Sequence, residues 1–282
     1  MASKREQYLR QQAELGGSEV YLSSEYRVPS TEDAIPADGV VAEPVPAKPS
    51  VPGTRYSVLP EDSSGSTSSP RWMKDLPPIP GPGIIIEPPA MDLMGDEISR
   101  LESLDAVAAM VAGCRRCPLC SARTHTVPGA GNPSAQLMCI GEGPGATEDA
   151  TGRPFVGQAG ELLNGILASI GLPREQVYIA NIVKCRPPQN RKPLPDEAAA
   201  CMPYLHRQIA LIRPKVILAL GGTAAEAMLN TKRGLGDLRN QVHRYAGTPL
   251  IVTYHPAALL RNPNWKKPTW DDVRIARQLL DQ

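Results

Sequence analysis

LMCIGEGPGATEDATGRPFVGQAGELLNGILASIG, residues 137–171, changes its hydrophobic period partway along. Leu137–Gly141 is a short apolar run of strand length, whereas Leu162, Leu163, Ile166, Leu167 and Ile170 recur at the 3.6-residue spacing of a helix. Between them lies a glycine-rich turn. Three further strand-like runs follow, VYIANIV (177–183), VILALG (216–221) and LIVTYH (250–255). Helical patterns separate them: 195–213, which enters on Pro195 and two acids, and 222–229, with Thr223 as a candidate cap. Helical stretches at 97–113 and 270–282 flank the set. Apolar strands alternating with helices predict an α/β fold, a parallel sheet covered on both faces.

In such sheets ligands bind beyond the carboxyl ends of the strands. That rule selects Glu142–Gly145, Asn181–Arg186, Gly221–Gly222 and His255–Pro256, where polar, basic and glycine residues gather. Phe155, the only phenylalanine, falls on a loop beyond the first of these strands, a poor place for a chain to spend its one benzyl ring on core packing.

The first third of the chain reads differently. Of the 30 prolines, 14 lie within residues 1–90, together with EDSSGSTSSP, so residues 1–95 are predicted to be a disordered acidic, Pro/Ser-rich extension, with at most a short exposed helix over 1–15. The folded domain is predicted over 96–282. Net charge divides accordingly, −7 over 1–97 (8 Lys+Arg, 15 Asp+Glu) and +8 over 98–282 (22 against 14). A basic body with an acidic tail points towards nucleic acid. No stretch is long and apolar enough to span a bilayer, and the N-terminus lacks a signal pattern, so a cytoplasmic protein with unpaired thiols is expected.

Six cysteines remain to be placed. Cys139 sits inside a strand and reads as a small buried hydrophobe. Cys114-Arg-Arg-Cys117, with Cys185 and Cys201, supplies four thiolates from two segments; spacing allows either tetrahedral zinc or an iron–sulfur cluster, with Cys120 as a spare.

Three motifs carry a resemblance: GEGPGATEDATGRPFVGQAG (141–160), NIVKCRPPQNRKPLPDE (181–197) and TYHPAALLRNP (253–263). Over roughly residues 100–280 the chain resembles the family 4, iron–sulfur type, uracil-DNA glycosylases. The resemblance implies a three-layer α/β/α fold around a four-stranded parallel sheet. It also implies a [4Fe–4S] cluster on Cys114, Cys117, Cys185 and Cys201, and a monofunctional enzyme that releases uracil from DNA and leaves an abasic site.

It assigns Phe155 to stacking on the extruded base, Asn181 to telling uracil from cytosine, and His255 to donating to uracil O2. The backbone of Gly143 and Gly145 adds donors. Glu142 is the first candidate for positioning water and Glu148 the second; Glu142 is also a candidate wall against the thymine methyl. Of Leu259 and Leu260, Leu259 is expected to wedge into the duplex. Arg261, Lys266 and Lys267, with Lys184, Arg186, Arg191 and Lys192, are expected on phosphates. The implied partner is uracil-containing DNA, single- or double-stranded, bound by a monomer active at the nucleoid; a protein partner is expected for the tail.

Other readings are weaker. GEGPGA fits a dinucleotide fingerprint, but Pro144 lacks an N–H for a pyrophosphate and no helix is expected to start at once. A uracil-DNA crosslinking protein of this fold would need a histidine in RPPQNRKPLP, which has none. A replication accessory without turnover is the remaining alternative.

Overall fold

The computed structural model describes residues 69–87 and 97–282. The expected helix over 1–15, and the expected disorder over 1–68 and 88–95, lie outside the described residues.

The predicted strands form at β3 (Leu137–Gly141), β4 (Tyr178–Asn181), β5 (Val216–Leu220) and β7 (Thr248–Thr253). They run parallel in the order β4-β3-β5-β7. Three strands absent from the sequence reading widen the sheet to seven: β2 (Ala130–Gly131) pairs antiparallel with β4, β6 (Val242–Tyr245) antiparallel with β7, and β1 (Pro82–Ile86) parallel with β6. The four-stranded sheet is thus the parallel centre of a larger one.

Why the central strands are continuously apolar is visible in where alternate side chains go. Met138, Ile140, Ile217 and Ala219 enter one core with α1 (Leu104–Ala112), α4 (Pro195–Ile212) and α5 (Gly222–Leu229). Leu137, Cys139, Val216 and Leu218 enter a second core with α3 (Gln158–Ser169) and α8 (Lys266–Leu280). Both faces of the sheet are dry, which gives the three layers predicted. Cys139 is fully buried in the second core, as expected.

Two expectations are corrected. Residues 69–87 were assigned to the disordered extension, yet they hold β1 and a strap that closes the second core. Trp72 is buried there under the Arg277 guanidinium, and Arg274 donates to the carbonyls of Lys74 and Asp75 at 2.8 and 3.1 Å. Their proline content hid an edge strand, a position where proline is tolerated. Secondly, a short helix, α2 (Ala146–Thr151), does begin directly after the glycine turn, and stops at Gly152 in the left-handed region (φ +70°). The remaining helices are α6 (Leu235–Leu238) and α7 (Pro256–Arg261). Thr223 is not a cap: Gly221 holds that position.

Candidate functional site

A cleft of about 400 Å³ opens at the carboxyl ends of the central strands. Glu142, Gly143 and Gly145 form one wall, Phe155, Asn181 and His255 the floor, and Asn190, Arg191 and Arg261 the rim. Residues from three strand ends, predicted separately, therefore share one site. Asn190 was not anticipated.

The Phe155 loop is held in an unusual shape. Phe155 has φ +50°, a region costly for a residue with a β-carbon, and its ring is almost wholly covered. The peptides around it are tied down on both sides. Arg174 donates to the carbonyls of Pro154 and, at 2.8 Å, Phe155, while Glu148 Oε1 accepts from Val156 and Gly157 N–H at 2.9 and 3.0 Å. Glu148 Oε2 also accepts from Gly145 N–H at 3.2 Å. Its carboxylate thus fastens the Phe155 loop to the glycine turn, and the second water-positioning candidate is fully engaged in shaping the wall. Gly145 N–H is spent in the same contact, and Pro144 has none. Gly143 N–H is the donor in this turn that makes no hydrogen bond within the described residues.

Asn181 ends β4 fully buried, and its Oδ1 has no hydrogen-bond partner in the protein. A buried unpaired amide oxygen costs on the order of 1–3 kcal/mol, so its presence calls for a ligand donor. Gly141, opposite on β3, makes room for it: a β-carbon there would lie 2.5 Å from Asn181 Oδ1 and 2.6 Å from Phe155 Cζ. The Asn181 carbonyl in turn accepts from Lys184 Nζ at 2.9 Å.

His255 caps α7. Its Nδ1 accepts from Ala257 N–H at 3.1 Å. Burial pushes the imidazole down to about 4, the Arg261 charge adds to the fall, and Glu148 opposes it. A neutral ring whose Nδ1 accepts must carry its proton on Nε2. Burial and the hydrogen bond to Nδ1 both favour the neutral imidazole, with Nε2–H the nitrogen available as a donor. Gly221 (φ +92°) backs the histidine so closely that a β-carbon would sit 2.9 Å from His255 Cβ.

The expected DNA contacts divide. Leu259 is buried, whereas Leu260 is 48 % exposed, which corrects the expected wedge: both lie on α7 rather than a loop, and that helix turns Leu259 inward. Lys184 is also removed from the surface set. It is fully buried, with Nζ donating to Gln208 Oε1 at 2.7 Å as well as to Asn181, and burial lowers its ammonium to about 8. Arg191 is held at the cleft rim by a bidentate pair with Glu197 (2.8 and 2.7 Å). Lys192 pairs with Glu226, and Arg186 donates to Asn190 Oδ1 at 2.8 Å. Arg261, Lys266 and Lys267 remain exposed. Lys267 faces Asp271 across 3.9 Å.

Cys114, Cys117, Cys120, Cys185 and Cys201 line one small cavity between α1 and α4. Burial raises the Cys117 and Cys185 thiols and takes Cys201 up to about 11. Arg123, missed by sequence reading, donates to Cys185 Sγ at 3.2 Å and to the Cys114 carbonyl at 2.9 Å. Lys184 lies at the cavity wall. These buried sulfurs carry negative charge together only if a cationic group holds them. Among the described residues no three His, Cys, Asp or Glu side chains converge as ligands of a single ion. The thiols thus meet at one cavity, where a zinc ion or an iron–sulfur cluster would be held by cysteine sulfur.

No described helix is long and apolar enough to cross a membrane. Comparison with known proteins matches residues 128–276 to the uracil DNA glycosylase superfamily. The chain is 47 % identical over 186 residues to the type-4 uracil-DNA glycosylase of Thermotoga maritima, covering 64 % of this chain and 97 % of that protein. It is 45 % identical over 189 residues to that of Sulfurisphaera tokodaii, covering 64 % and 86 %, and 44 % identical over 191 residues to that of Archaeoglobus fulgidus, covering 64 % and 94 %.

Proposed function

This chain belongs to the uracil DNA glycosylase superfamily, in its type-4 family, and we propose that it hydrolyses the N-glycosidic bond of deoxyuridine in DNA, releasing uracil and leaving an abasic site for excision repair. The observation that carries the reading is the buried, unpartnered Oδ1 of Asn181 beside the Phe155 ring and the neutral His255.

A base must leave the stack to reach such a cleft, at a cost of a few kcal/mol that the site has to return. Stacking on Phe155 returns roughly 1–3 kcal/mol. Asn181 Oδ1 accepts from uracil N3–H and the same amide donates to O4, a pattern that cytosine reverses. As the glycosidic bond breaks, charge gathers on uracil O2. His255 Nε2–H, with Gly143 N–H beside it, donates there, each such donor contributing about 3 kcal/mol when preorganised. Since the imidazole is neutral, it stabilises the leaving anion without transferring a proton. Glu142 is the free carboxylate of the wall, and we assign it to orient water towards the sugar cation. Leu260 replaces Leu259 as the side chain that fills the gap left by the base. Arg261 and Lys266 contact phosphates.

Cys114, Cys117, Cys185 and Cys201 hold a [4Fe–4S] cluster in this reading, which when bound ties α1 to the segment following β4 and supplies structure rather than chemistry. Cys120 stands by without ligating. No observation favours crosslinking or a function without turnover.

Incubating the holoprotein with a labelled uracil oligonucleotide, with and without alkali, tests the proposal. Free uracil and strand scission after alkali alone are expected. Scission before alkali, or no uracil release, contradicts it.

A further inference from the structure

Trp265 is 37 % exposed, an unusual position for a ring that is nevertheless rigidly mounted. One face stacks on Tyr254, with centroids 4.7 Å apart and planes only 8° from parallel. Tyr254 immediately precedes His255, so the stack adjoins the cleft. The Arg239 guanidinium lies 4.6 Å over the Tyr254 ring and is itself fixed by a bidentate pair with buried Asp272 at 2.8 and 3.0 Å. Asp272 also accepts from Thr253 Oγ1 at 2.7 Å. The Trp265 backbone is bonded on both sides: its N–H donates to the Asn262 carbonyl at 3.2 Å, and its carbonyl accepts from Thr269 Oγ1 at 2.8 Å.

An ion pair, a hydroxyl and two stacked rings support one indole whose outer side meets solvent, with Arg261, Lys266 and Lys267 around it in the chain. Among the described residues the other exposed large hydrophobics of this stretch reduce to Leu260, so the surface is a single flat ring in a cationic field and not an apolar patch of the kind that binds protein. A planar, electron-rich ring with cations beside it suits a nucleobase joined to a phosphate backbone.

We propose that Trp265 is a second stacking platform, separate from the uracil pocket, which takes an unpaired base of the bound DNA strand. The inference rests on the glycosylase reading for its ligand, and it assigns to the protein a built-in preference for DNA that is single-stranded or opened around the lesion. A paired base presents no free face to such a ring, whereas an unpaired one does.

The test uses the holoprotein and a uracil-free single-stranded oligonucleotide, followed by quenching of tryptophan fluorescence and by anisotropy of a labelled strand, over a range of salt. Trp265→Leu keeps apolar cover on Tyr254 but removes the aromatic face; Trp265→Phe retains a face. Leucine is expected to weaken single-strand binding roughly five- to a hundredfold, phenylalanine to restore most of it, and the salt slope to stay unchanged because no phosphate contact is lost. Affinity for a fully paired duplex should change less than twofold. Undiminished single-strand binding by a folded Trp265→Leu protein would overturn the proposal, as would a loss that phenylalanine does not restore or one that alters the salt slope. Uracil release by the wild-type protein is measured alongside: its absence would sink the glycosylase reading, whereas release with unaffected Trp265→Leu binding would sink this one alone.

Discussion

The rings of Phe155 and His255 stand 5.5 Å apart, centroid to centroid, with their planes inclined by 31°. The Phe155 ring keeps its place in this pair beside a residue that has no side chain. Gly141 leaves the space that Phe155 Cζ and Asn181 Oδ1 both occupy. Gly141→Ala should therefore displace the stacking ring and the discriminating amide together. Misplacement of about 1 Å can cost on the order of a hundredfold in rate. Single-turnover uracil release is expected to fall by that order, while the melting temperature drops by the few degrees of an overpacked methyl group. A variant that is destabilised yet fully active would show that the two groups need no such fit.

Asn181→Asp exchanges the amide donor for an oxygen in an otherwise fixed frame. Loss of the hydrogen bond to uracil O4, with a buried acceptor left facing another acceptor, should lower uracil release at neutral pH at least tenfold to a hundredfold. Release of cytosine relative to uracil should rise. Comparison of both bases in matched oligonucleotides reads the ratio directly, and an unchanged ratio would remove Asn181 from discrimination.

Much of this was legible before any coordinates. Four apolar runs separated by helical periods gave the parallel centre of the sheet, and the rule that ligands bind beyond strand tips brought Glu142, Asn181 and His255 to one cleft. What escaped was whatever depends on neighbours in space. A four-residue strand such as Val242–Tyr245 carries too few residues to show a period. Pro82–Ile86, entered from the proline run at 77–82, forms a strand because β6 is there to pair with it. Charge misled at Lys184, because a lysine's buried partners, Gln208 and the Asn181 carbonyl, lie on elements that the sequence does not place beside it. The engagement of Glu148 by three backbone N–H groups likewise belongs to a loop conformation, the positive φ of Phe155, that no periodicity encodes.

Leu259 and Leu260, adjacent in sequence, should behave oppositely. Leu259→Ala removes a buried side chain and should cost about 2–5 kcal/mol of stability, seen as a lowered denaturation midpoint. Leu260→Ala should leave the midpoint unchanged and slow uracil release from duplex more than from single-stranded DNA, since only the duplex leaves a gap to fill. Equal loss on both substrates would argue against a wedge.

Cysteine variants separate ligands from bystanders around the shared cavity. Cys201→Ser should reduce bound iron and acid-labile sulfide well below the wild-type content of about four each per chain. Cys120→Ser should leave both unchanged. Full iron in the first variant, or its loss in the second, would reassign the fourth ligand.

His255 makes a prediction about pH. Its imidazole titrates near 4 in the fold, against an ordinary value near 6.5, because burial and the Arg261 charge disfavour the cation. Between those values the unfolded chain binds a proton that the folded chain refuses, so unfolding gains as pH falls. The stability associated with the neutral ring is complete above about pH 6.5 and is lost progressively towards pH 4, by up to roughly 3 kcal/mol. His255→Asn preserves a good helix cap but does not titrate. The wild-type protein should therefore lose stability relative to this variant between pH 7 and pH 4.5, measured by urea unfolding at each pH. Uracil release by the wild type should show no inflection near pH 6.5, since the donor to O2 is already neutral there. An inflection at that value, absent in the asparagine variant, would mean that the imidazolium performs the work assigned to the neutral ring.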